Sequence, residues 1–404
     1  MRKTGFGTDI LIIGGGIAGL TLAALLGRSG IAVRLVEGFP PKPLKDTAPS
    51  GRTVALMERS LDLIKTAGAW EACEAHAAPL KTMRIIDRSI AGREDVTADF
   101  ESAEIGQAQF GFNIPNSILR AALYEAVQKN KNITLHAPAK LADYKADGSG
   151  INATLEDGTH IRARLIVGVD GRASPVRKIA GISTRTHDYK QTAITCLLNH
   201  SRAHEHISTE FHRPGGPLAL VPLPGNCSSL VWVERNPRAE TLMEMRESQF
   251  LEALEEETGG LLGGMTLETQ PESWKLSSLC AKSLTAQRTV LAAEAAHVIS
   301  PITAQGLNLS LRDIAALHET LVEAARLGLD PGSKAILDQY ERRRRLDIAT
   351  RIAGVNGINR IVSNDIPAVK TLRRRGLRLL DKLPALKHFA TKQALAPEVD
   401  QKRA

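Results

Sequence analysis

The chain has 404 residues, enough for two domains with full hydrophobic cores, and its 43% hydrophobic and 24% charged residues are ordinary for a globular protein. Aromatic residues make up only 4%, which argues against a nucleic-acid surface built on base stacking, and no stretch is long and apolar enough to span a membrane. The net charge of +8 is concentrated in residues 341–404, where 16 Lys and Arg accompany 6 Asp and Glu, so this C-terminal segment predicts contact with an anionic surface.

The four cysteines predict neither a metal site nor a disulfide framework. Cys73, Cys196, Cys227 and Cys280 are far apart and lack metal-ligand spacing. Buried thiols in a reducing compartment are the usual meaning of such a pattern. We therefore expect a cytoplasmic protein that binds no metal.

A glycine-rich stretch near the N terminus has the layout of a dinucleotide site. The apolar run Ile10–Ile13 predicts a buried parallel strand, and Ile17–Arg28 predicts a helix rich in Ala and Leu. Gly14, Gly16 and Gly19 follow the order G-x-G-x-x-G. In this order the first glycine permits the turn, the second lets the backbone approach a pyrophosphate, and the third lets helix and strand pack closely.

A second strand and an acidic residue complete this layout. Ala32–Val36 is apolar except for Arg34, and Glu37 follows it, 23 residues after Gly14, where a carboxylate can bind both hydroxyls of an adenosine ribose. Ala18 lies in the first turn of the helix, whose free N–H groups attract phosphates. The alternative is a secretory signal, but Asp9 and the glycines interrupt its pattern. By itself the stretch fits NAD and FAD equally.

The remaining elements alternate between strands and helices. In chain order the pattern predicts helix Glu58–Ala67, strands Lys81–Arg88 and Val96–Phe100, helix Ser117–Lys129, hairpins within 133–169, strands Thr192–Asn199, Ile207–His212, Leu218–Leu223 and Ser229–Glu234, helix Arg246–Glu257, strand Arg288–Ala292, and helices from Leu307 onward. We expect an α/β fold with a discontinuous nucleotide-binding domain (1–75, 99–182 and 281–340). A β-rich domain (76–98 and 183–280) is inserted into it, and a basic helical segment (341–404) follows.

Two further motifs lie at the ends of predicted strands. Asp170-Gly171 follows the apolar run Leu165–Val169, and Ser174 and Arg177 come shortly afterwards. Alone, an Asp-Gly pair would be a plain turn. The other motif consists of Ala293-Glu294, His297, Pro301 and Gly306-Leu307-Asn308, with Asp313 in the helix that follows.

Together with the N-terminal loop, these motifs resemble the three fingerprints of the FAD-dependent aromatic hydroxylases, which have the p-hydroxybenzoate hydroxylase fold. The resemblance spans essentially the whole chain. Within that group, Gly51–Leu56, Gly216–Leu223 and Tyr340–Arg344 are similar to the ubiquinone-biosynthesis hydroxylases. The resemblance implies a Rossmann-like FAD-binding domain and hydroxylation of a prenylated phenol through a flavin C4a-hydroperoxide, with O2 and NADH or NADPH. It also implies that Leu218–Leu223 forms a roof over the phenol.

The resemblance also assigns residues to the cofactor. Asp170 is expected to contact both FAD and NAD(P)H. Glu294 is expected to bind the ribitol or the pyrophosphate, and Pro301 to lie close to the flavin ring. Arg177 would pair with Asp170 or meet a nicotinamide phosphate. The expected FAD-binding residues are Gly14, Gly16, Ala18, Gly19, Glu37, Arg52, Asn116, Asp170, Gly171, Arg177, Glu294, Pro301, Gly306, Leu307 and Asn308.

No catalytic side chain can be assigned from the sequence. His297 and Pro301 are the candidates, although a histidine at such a position is more often a hydrogen-bonded anchor of its loop. The family's third fingerprint normally begins Gly-Asp, whereas this chain has Ala293-Glu294. The acid is kept, but Ala replaces a residue whose missing Cβ lets backbone approach closely, so we expect FAD to sit differently or bind more weakly.

The C-terminal segment suggests how a lipid substrate could be delivered. Ile366–Leu383 places Val369, Leu372, Leu380 and Leu383 on one helical face and Lys370, Arg374, Arg378 and Lys382 around the other. Such a helix could lie on the inner face of an anionic membrane, or pack within the protein or a quinone-synthesis complex. The run Arg342–Arg345 is expected to be a solvated face.

Three other functions remain open at this stage. They are a flavin monooxygenase of a soluble aromatic acid, a flavin reductase or dehydrogenase of prenyl lipids, and a non-catalytic FAD-binding member of a quinone-synthesis complex. Ala293 gives some support to the last of these.

Overall fold

The computed structural model describes residues 8–90, 94–300, 305–362, 366–382 and 387–388. The strands in chain order are β1 Ile10–Ile13, β2 Val33–Val36, β3 Thr53–Met57, β4 Ala78–Leu80, β5 Thr82–Asp87, β6 Val96–Glu101, β7 Gly111–Pro115, β8 Ile133–His136, β9 Leu141–Ala146, β10 Ile151–Leu155, β11 His160–Ala163, β12 Leu165–Gly168, β13 Thr184–His200, β14 Ile207–His212, β15 Pro217–Leu223, β16 Cys227–Arg235, β17 Met265–Leu267, β18 Glu272–Ala281, β19 Thr285–Ala286, β20 Thr289–Leu291 and β21 His297–Val298.

The α-helices have the following bounds. They are α1 Ile17–Arg28, α2 Glu58–Ala67, α3 Trp70–Cys73, α4 Asn116–Gln128, α5 Pro175–Ile179, α6 Asn236–Glu244, α7 Glu247–Thr258, α8 Gly306–Arg326, α9 Lys334–Val362 and α10 Pro367–Lys382. Helices α1 and α2 have the bounds predicted from periodicity, and α4, α7 and α10 differ from prediction by one residue at their described ends.

A six-stranded sheet carries the nucleotide-binding motifs. Its order is β19-β20-β12-β1-β2-β8, with all pairs parallel except β19–β20. The four residues of β1 are buried, as the continuous apolar run predicted, and α1 packs against the sheet at β1, β2 and β8. The carboxyl ends of β1, β2, β12 and β20 therefore meet at one edge, which is where such sheets bind ligands.

The second large sheet is mostly antiparallel. Eight strands follow the order β21-β18-β13-β16-β15-β14-β5-β6, and β17 pairs with β13 beside them. One face packs on α6 and α7 through a core that includes Phe211, Leu230, Trp232 and Phe250. A three-stranded sheet, β3-β7-β4, lies between this large sheet and the nucleotide-binding part. The α/β class with a β-rich second region and a helical C-terminal part is confirmed.

The domain boundaries drawn from the sequence stay a prediction. Strands β5 and β6 pair with the large sheet, although they precede it by a hundred residues in the chain. His297–Val298, in the third motif, also adds to that sheet. Among the described helices, none combines the length and apolarity needed to cross a membrane.

Candidate FAD site and substrate roof

The loop between β1 and α1 forms an open cradle at the start of a helix. Gly14 has φ +109°, and its N–H donates to Val36 O at 2.9 Å, so a residue with a Cβ would be strained there. A Cβ on Gly19 would lie 1.9 Å from Gly14 O, which shows how closely α1 packs on the loop. A Cβ on Gly16 would meet nothing within 4 Å. The backbone at Gly16 is thus accessible to a phosphate, and Ala18 is buried behind it.

Glu37 lies at the end of β2 and contacts this loop. Its carboxylate accepts the N–H of Gly15 and, at 2.6 Å, that of Phe39. The sequence interpretation missed Arg120, whose Nη2 lies 3.4 Å from Glu37 Oε1 and whose Nε donates to Gly15 O at 2.9 Å. A cation in the amphipathic helix α4 gave no signal for this role, because the contact joins residues more than 80 positions apart.

Arg52 and Asn116 lie together at the edge of the three-stranded sheet. The backbone N–H of Asn116 donates to Arg52 O at 2.9 Å. Asn116 Oδ1 is buried and, within the described part of the chain, has no hydrogen-bond partner. The guanidinium of Arg52 stacks 4.6 Å from the ring centre of Trp274 on β18, so Arg52 reaches from the cofactor side to the large sheet.

Asp170 and Gly171 follow β12 at the same edge as the glycine loop. Asp170 Oδ2 accepts the N–H of Val176 at 3.0 Å, whereas Oδ1 is buried without a partner among the described residues. Burial raises the pKa of the Asp170 carboxyl above its ordinary value, against the opposing effect of Ser174 and the Val176 N–H. Gly171 has φ +82°, which favours glycine.

Arg177 links the second motif to the third. Its Nη1 donates to Ala295 O at 2.8 Å and its Nη2 to Arg172 O at 2.7 Å. These bonds hold the guanidinium on two carbonyl groups. Neither bond is to Asp170, although the charge of Arg177 acts on that carboxyl and tends to lower its pKa. A contact with a nicotinamide phosphate stays a prediction.

The third motif departs from an ordinary turn at Ala293. This residue has φ +55°, a left-handed conformation that costs a non-glycine residue about 1–2 kcal/mol. Its N–H donates to Asp313 Oδ2 at 2.9 Å. Glu294, the next residue, has an exposed side chain. Pro301 lies outside the described residues.

His297 is buried and held by an acid. It is 2% exposed, and its Nε2 lies 2.6 Å from Asp313 Oδ2. Burial alone would raise the pKa of Asp313, but His297, Arg344 and the Ala293 N–H outweigh it and hold that pKa below its ordinary value. This geometry suits a loop anchor better than a proton-transfer group open to substrate.

The expectation for the basic run Arg342–Arg345 is wrong at one position. Arg344 is fully buried, and its Nε donates to Asp313 Oδ1 at 2.7 Å. Arg342, Arg343 and Arg345 are exposed, as a solvated face would have them. The pattern could not reveal this difference because Asp313 belongs to another helix.

The start of α8 is tied to the three-stranded sheet. Asn308 Nδ2 donates to Ala55 O at 2.8 Å, and its Oδ1 accepts Met57 N–H at 3.1 Å. A Cβ on Gly306 would have only Ile299 near it, at 4.0 Å, and Leu307 is half-buried. The first turn of α8 therefore combines the positive end of the helix dipole with open backbone at Gly306.

These features fit FAD along the edge of the six-stranded sheet. The open backbone at Gly16 suits a pyrophosphate, and Glu37 suits the adenosine ribose. The buried acceptors Asn116 Oδ1 and Asp170 Oδ1 have no hydrogen-bond partner among the described residues, and hydroxyl or N–H groups of a cofactor would supply one. The helix start at Gly306 suits the polar edge of the flavin.

The large sheet presents its second face to this site. Ser229 Oγ on β16 lies 2.8 Å from Thr53 Oγ1 on β3, so the face of Ser229 is the one that meets the cofactor side. Val221 is paired with Ser229, and Ala219 with Val231, so these side chains share that face. Ala219, Val221 and Val231 are half-buried and form what we term the roof strip.

The roof predicted from the sequence, Leu218–Leu223, is therefore wrong for part of its residues. Leu218 and Leu220 are at most 2% exposed and belong to the core under α6 and α7. Side chains of a strand alternate between its two faces, so only every second residue can contribute to the roof.

Comparison with known proteins agrees with this geometry. The family model described as "FAD binding domain" matches residues 7–353. The ubiquinone hydroxylase UbiL of Rhodospirillum rubrum is 37% identical over 387 residues, covering 96% of this chain and 89% of that protein. The 3-demethoxyubiquinol 3-hydroxylase of Escherichia coli is 30% identical and covers 96% of this chain and 98% of that protein.

Solved structures show the same fold at low sequence identity. The p-nitrophenol 4-monooxygenase PnpA of Pseudomonas putida has a TM-score of 0.79 and 18% identity, covering 97% of this chain and 99% of that one. A single-residue variant of HpxO from Klebsiella pneumoniae, complexed with FAD, has a TM-score of 0.75 and 15% identity, covering 96% of this chain and 98% of that one. The chain therefore belongs to the FAD-dependent aromatic monooxygenases that use NAD(P)H, in the family of the ubiquinone hydroxylases.

Proposed function

We propose that this enzyme hydroxylates the phenol ring of a polyprenylated ubiquinone precursor, with O2 and electrons from NADH or NADPH. The roof strip carries the proposal, because its three aliphatic side chains, Ala219, Val221 and Val231, suit a flat ring with an apolar tail. The names of the two relatives above support the same substrate class. A soluble aromatic acid would instead call for a cation over the ring site.

The residues divide the work between holding the cofactor and shielding the substrate. FAD supplies hydride acceptance from NAD(P)H and activation of O2. In the proposed enzyme Gly16 and Glu37 hold its adenosine end, and Asp170, Asn116 and the start of α8 hold its remaining length. The roof strip keeps water from the ring and orients it, which protects the oxygen-transfer step.

Quinone analysis in a deletion strain tests this function. Loss of the gene should cause a prenylphenol lacking one hydroxyl group to accumulate, and the intact gene should restore ubiquinone. A gene encoding Gly16→Val should not restore it. Unchanged quinone content in a strain without a second hydroxylase would rule the proposal out.

We also propose that the protein is cytoplasmic and touches the inner face of the membrane through α10. Arg373 Nε donates to Asp87 Oδ2 at 2.5 Å, and Arg374 Nη1 to Asp87 O at 3.0 Å, so both arginines dock the helix on β5 and β6. Arg374 was expected on the solvated face, and its burial corrects that assignment. Leu377 packs on Val96 and Ala98 on the same side.

Docking leaves a mixed apolar and basic face outside. Leu372 is 72% exposed and Leu379 is 53% exposed, while Arg375 and Arg378 are also exposed. Of the expected face, Leu372 is exposed and Val369 is half-buried, whereas the side chain of Leu380 and the whole of Leu383 lie outside what the structure describes. Exposed leucines beside arginines suit the boundary between acyl chains and anionic headgroups.

Vesicle sedimentation tests the membrane contact. The purified protein should sediment with vesicles containing phosphatidylglycerol and less with pure phosphatidylcholine. The variant Leu372→Ser/Leu379→Ser should lose this binding, whereas Leu327→Ser, at a 66% exposed leucine elsewhere, should keep it. Equal sedimentation of all three proteins would contradict a lipid role for α10 and favour a protein partner.

A further inference from the structure

One arginine of the C-terminal segment reaches the cofactor motif through a chain of buried contacts. Arg344 on α9 binds Asp313 on α8, and Asp313 binds the backbone of Ala293. We propose that Arg344 is a positioning residue for FAD. By fixing Asp313, it holds Ala293 in its left-handed conformation and so sets the direction of Glu294.

Asp313 is the centre of this arrangement. Its Oδ1 accepts Arg344 Nε at 2.7 Å, and its Oδ2 accepts Ala293 N–H at 2.9 Å and lies 2.6 Å from His297 Nε2. Arg344 and Asp313 are fully buried, and His297 is 2% exposed. These groups are shielded from bulk solvent, so loss of Arg344 would leave a buried acid without its guanidinium partner.

Arg344 is itself held firmly. Its Nη1 donates to Asp347 Oδ2 at 2.7 Å, and Arg351 Nε donates to Asp347 Oδ1 at 2.9 Å. Four residues before Arg344, Tyr340 OH donates to Leu291 O at 3.2 Å, on the strand that leads into the motif. Helix α9 is thus bound at two places, to the strand that leads into the motif through Tyr340 and to Asp313 through Arg344.

Ala293 is where this support is needed. An alanine with φ +55° tends to return to an ordinary conformation, and that change would swing the peptide that precedes Glu294. A glycine would hold the same φ without support. The left-handed conformation at position 293 therefore depends on Arg344 in this chain, whereas a glycine there would adopt it without support.

Titration of FAD into apoprotein, followed by the quenching of flavin fluorescence, tests the inference. Arg344→Lys should raise the Kd for FAD on the order of tenfold, because lysine keeps the charge but loses the fixed fork of donors. Arg343→Lys, at the exposed neighbour that pairs with Glu319, should leave the Kd within about twofold. Ala293→Gly in the Arg344→Lys background should recover most of the lost affinity.

The rescue separates positioning from general stability. Because Ala293→Gly also stabilises the fold, the Kd is measured well below the melting temperature of every variant, where a purely stabilising role for Arg344 would leave the Kd of Arg344→Lys unchanged. Failure of this rescue, or an unchanged Kd in Arg344→Lys, would overturn the proposal. Should Arg344→Lys fail to fold, Asp347→Asn provides the milder variant, and it should weaken FAD binding in the same direction; an unchanged Kd there would overturn the proposal as well.

Discussion

In the proposed FAD site, single glycines and one alanine would decide how close the cofactor comes to the backbone. The backbone at Gly16 faces open space, while Gly14 and Gly19 are closed by their neighbours. The three glycines of one motif therefore have different consequences when replaced. Substitution at Gly14 or Gly19 would disturb the fold. Of the three, only a substitution at Gly16 is expected to affect FAD binding without affecting folding.

Gly16→Val should abolish FAD binding while leaving the apoprotein folded. A Cβ at this position would meet no described protein atom within 4 Å, so the side chain extends into the space proposed for the pyrophosphate. Absorbance of the purified protein and its circular dichroism measure both effects. Gly148→Val is the matched control, since its Cβ is equally unobstructed and it lies in a hairpin turn outside the three motifs, and it should retain FAD. FAD retention by Gly16→Val would contradict our placement of the loop.

Ala293→Gly should raise the free energy of unfolding of the apoprotein by roughly 0.5–1 kcal/mol. Glycine removes about 1–2 kcal/mol of left-handed strain, and the greater freedom of the unfolded chain offsets about 0.4–1 kcal/mol of that gain. Urea denaturation provides the measurement. Ala295→Gly, at a buried alanine of the same turn without positive φ, should destabilise instead. A loss of stability in both variants would show that Ala293 is not strained.

Sequence patterns revealed the residues whose role depends on local backbone and missed those defined by distant partners. The positions of the glycine loop and Glu37 were predictable from the sequence because strand, turn and helix follow one another within 30 residues. Arg120 and Arg344 could not, because each binds an acid on a different element. One buried arginine in a run of four has no signature in composition or periodicity.

At the scale of elements, α10 is held on the large sheet by a buried acid. Asp87 is fully buried and binds Arg373 and Arg374. Burial opposes its charge, but Ser89 and Arg373 outweigh that effect and lower the pKa of the Asp87 carboxyl below its ordinary value. A lowered pKa in the folded state means that the carboxylate stabilises docking above its unfolded pKa. This contribution is lost as the pH falls through the folded pKa.

Acidification below about pH 4 should therefore loosen α10, since the unfolded pKa of Asp is near 3.9. Hydrogen exchange of α10 amides should accelerate there before exchange in α1 does. Asp87→Asn should show fast exchange in α10 already at neutral pH. Asp99→Asn, whose partner Arg84 is half-exposed on the adjacent strand, should behave like the wild type. Uniform exchange rates in all three proteins would contradict this anchoring role.

For the whole molecule, the proposed substrate site depends on the meeting of two sheets, which no single element reveals. Periodicity found the β-rich segment, but it could not show which face of β15 turns toward the cofactor. That choice depends on the contact between Ser229 and Thr53, which joins the large sheet to the three-stranded one. The order of elements was thus predictable, whereas the side of each strand was not.

Two neighbouring substitutions on β15 test this arrangement, and they rest on the proposed function. Val221→Phe should lower the rate of hydroxylation of a short-chain prenylphenol on the order of tenfold. The larger side chain would fill space under the roof strip, and a rise of about 1.4 kcal/mol in the activation free energy corresponds to that change. Its Kd for FAD and its melting temperature should stay near wild type. Leu220→Ala should instead lower the free energy of unfolding by roughly 2–5 kcal/mol, because it opens a cavity in the core under α6 and α7. Product analysis and denaturation measure the two effects, and a reversed pattern would mean that the opposite face of the sheet covers the substrate.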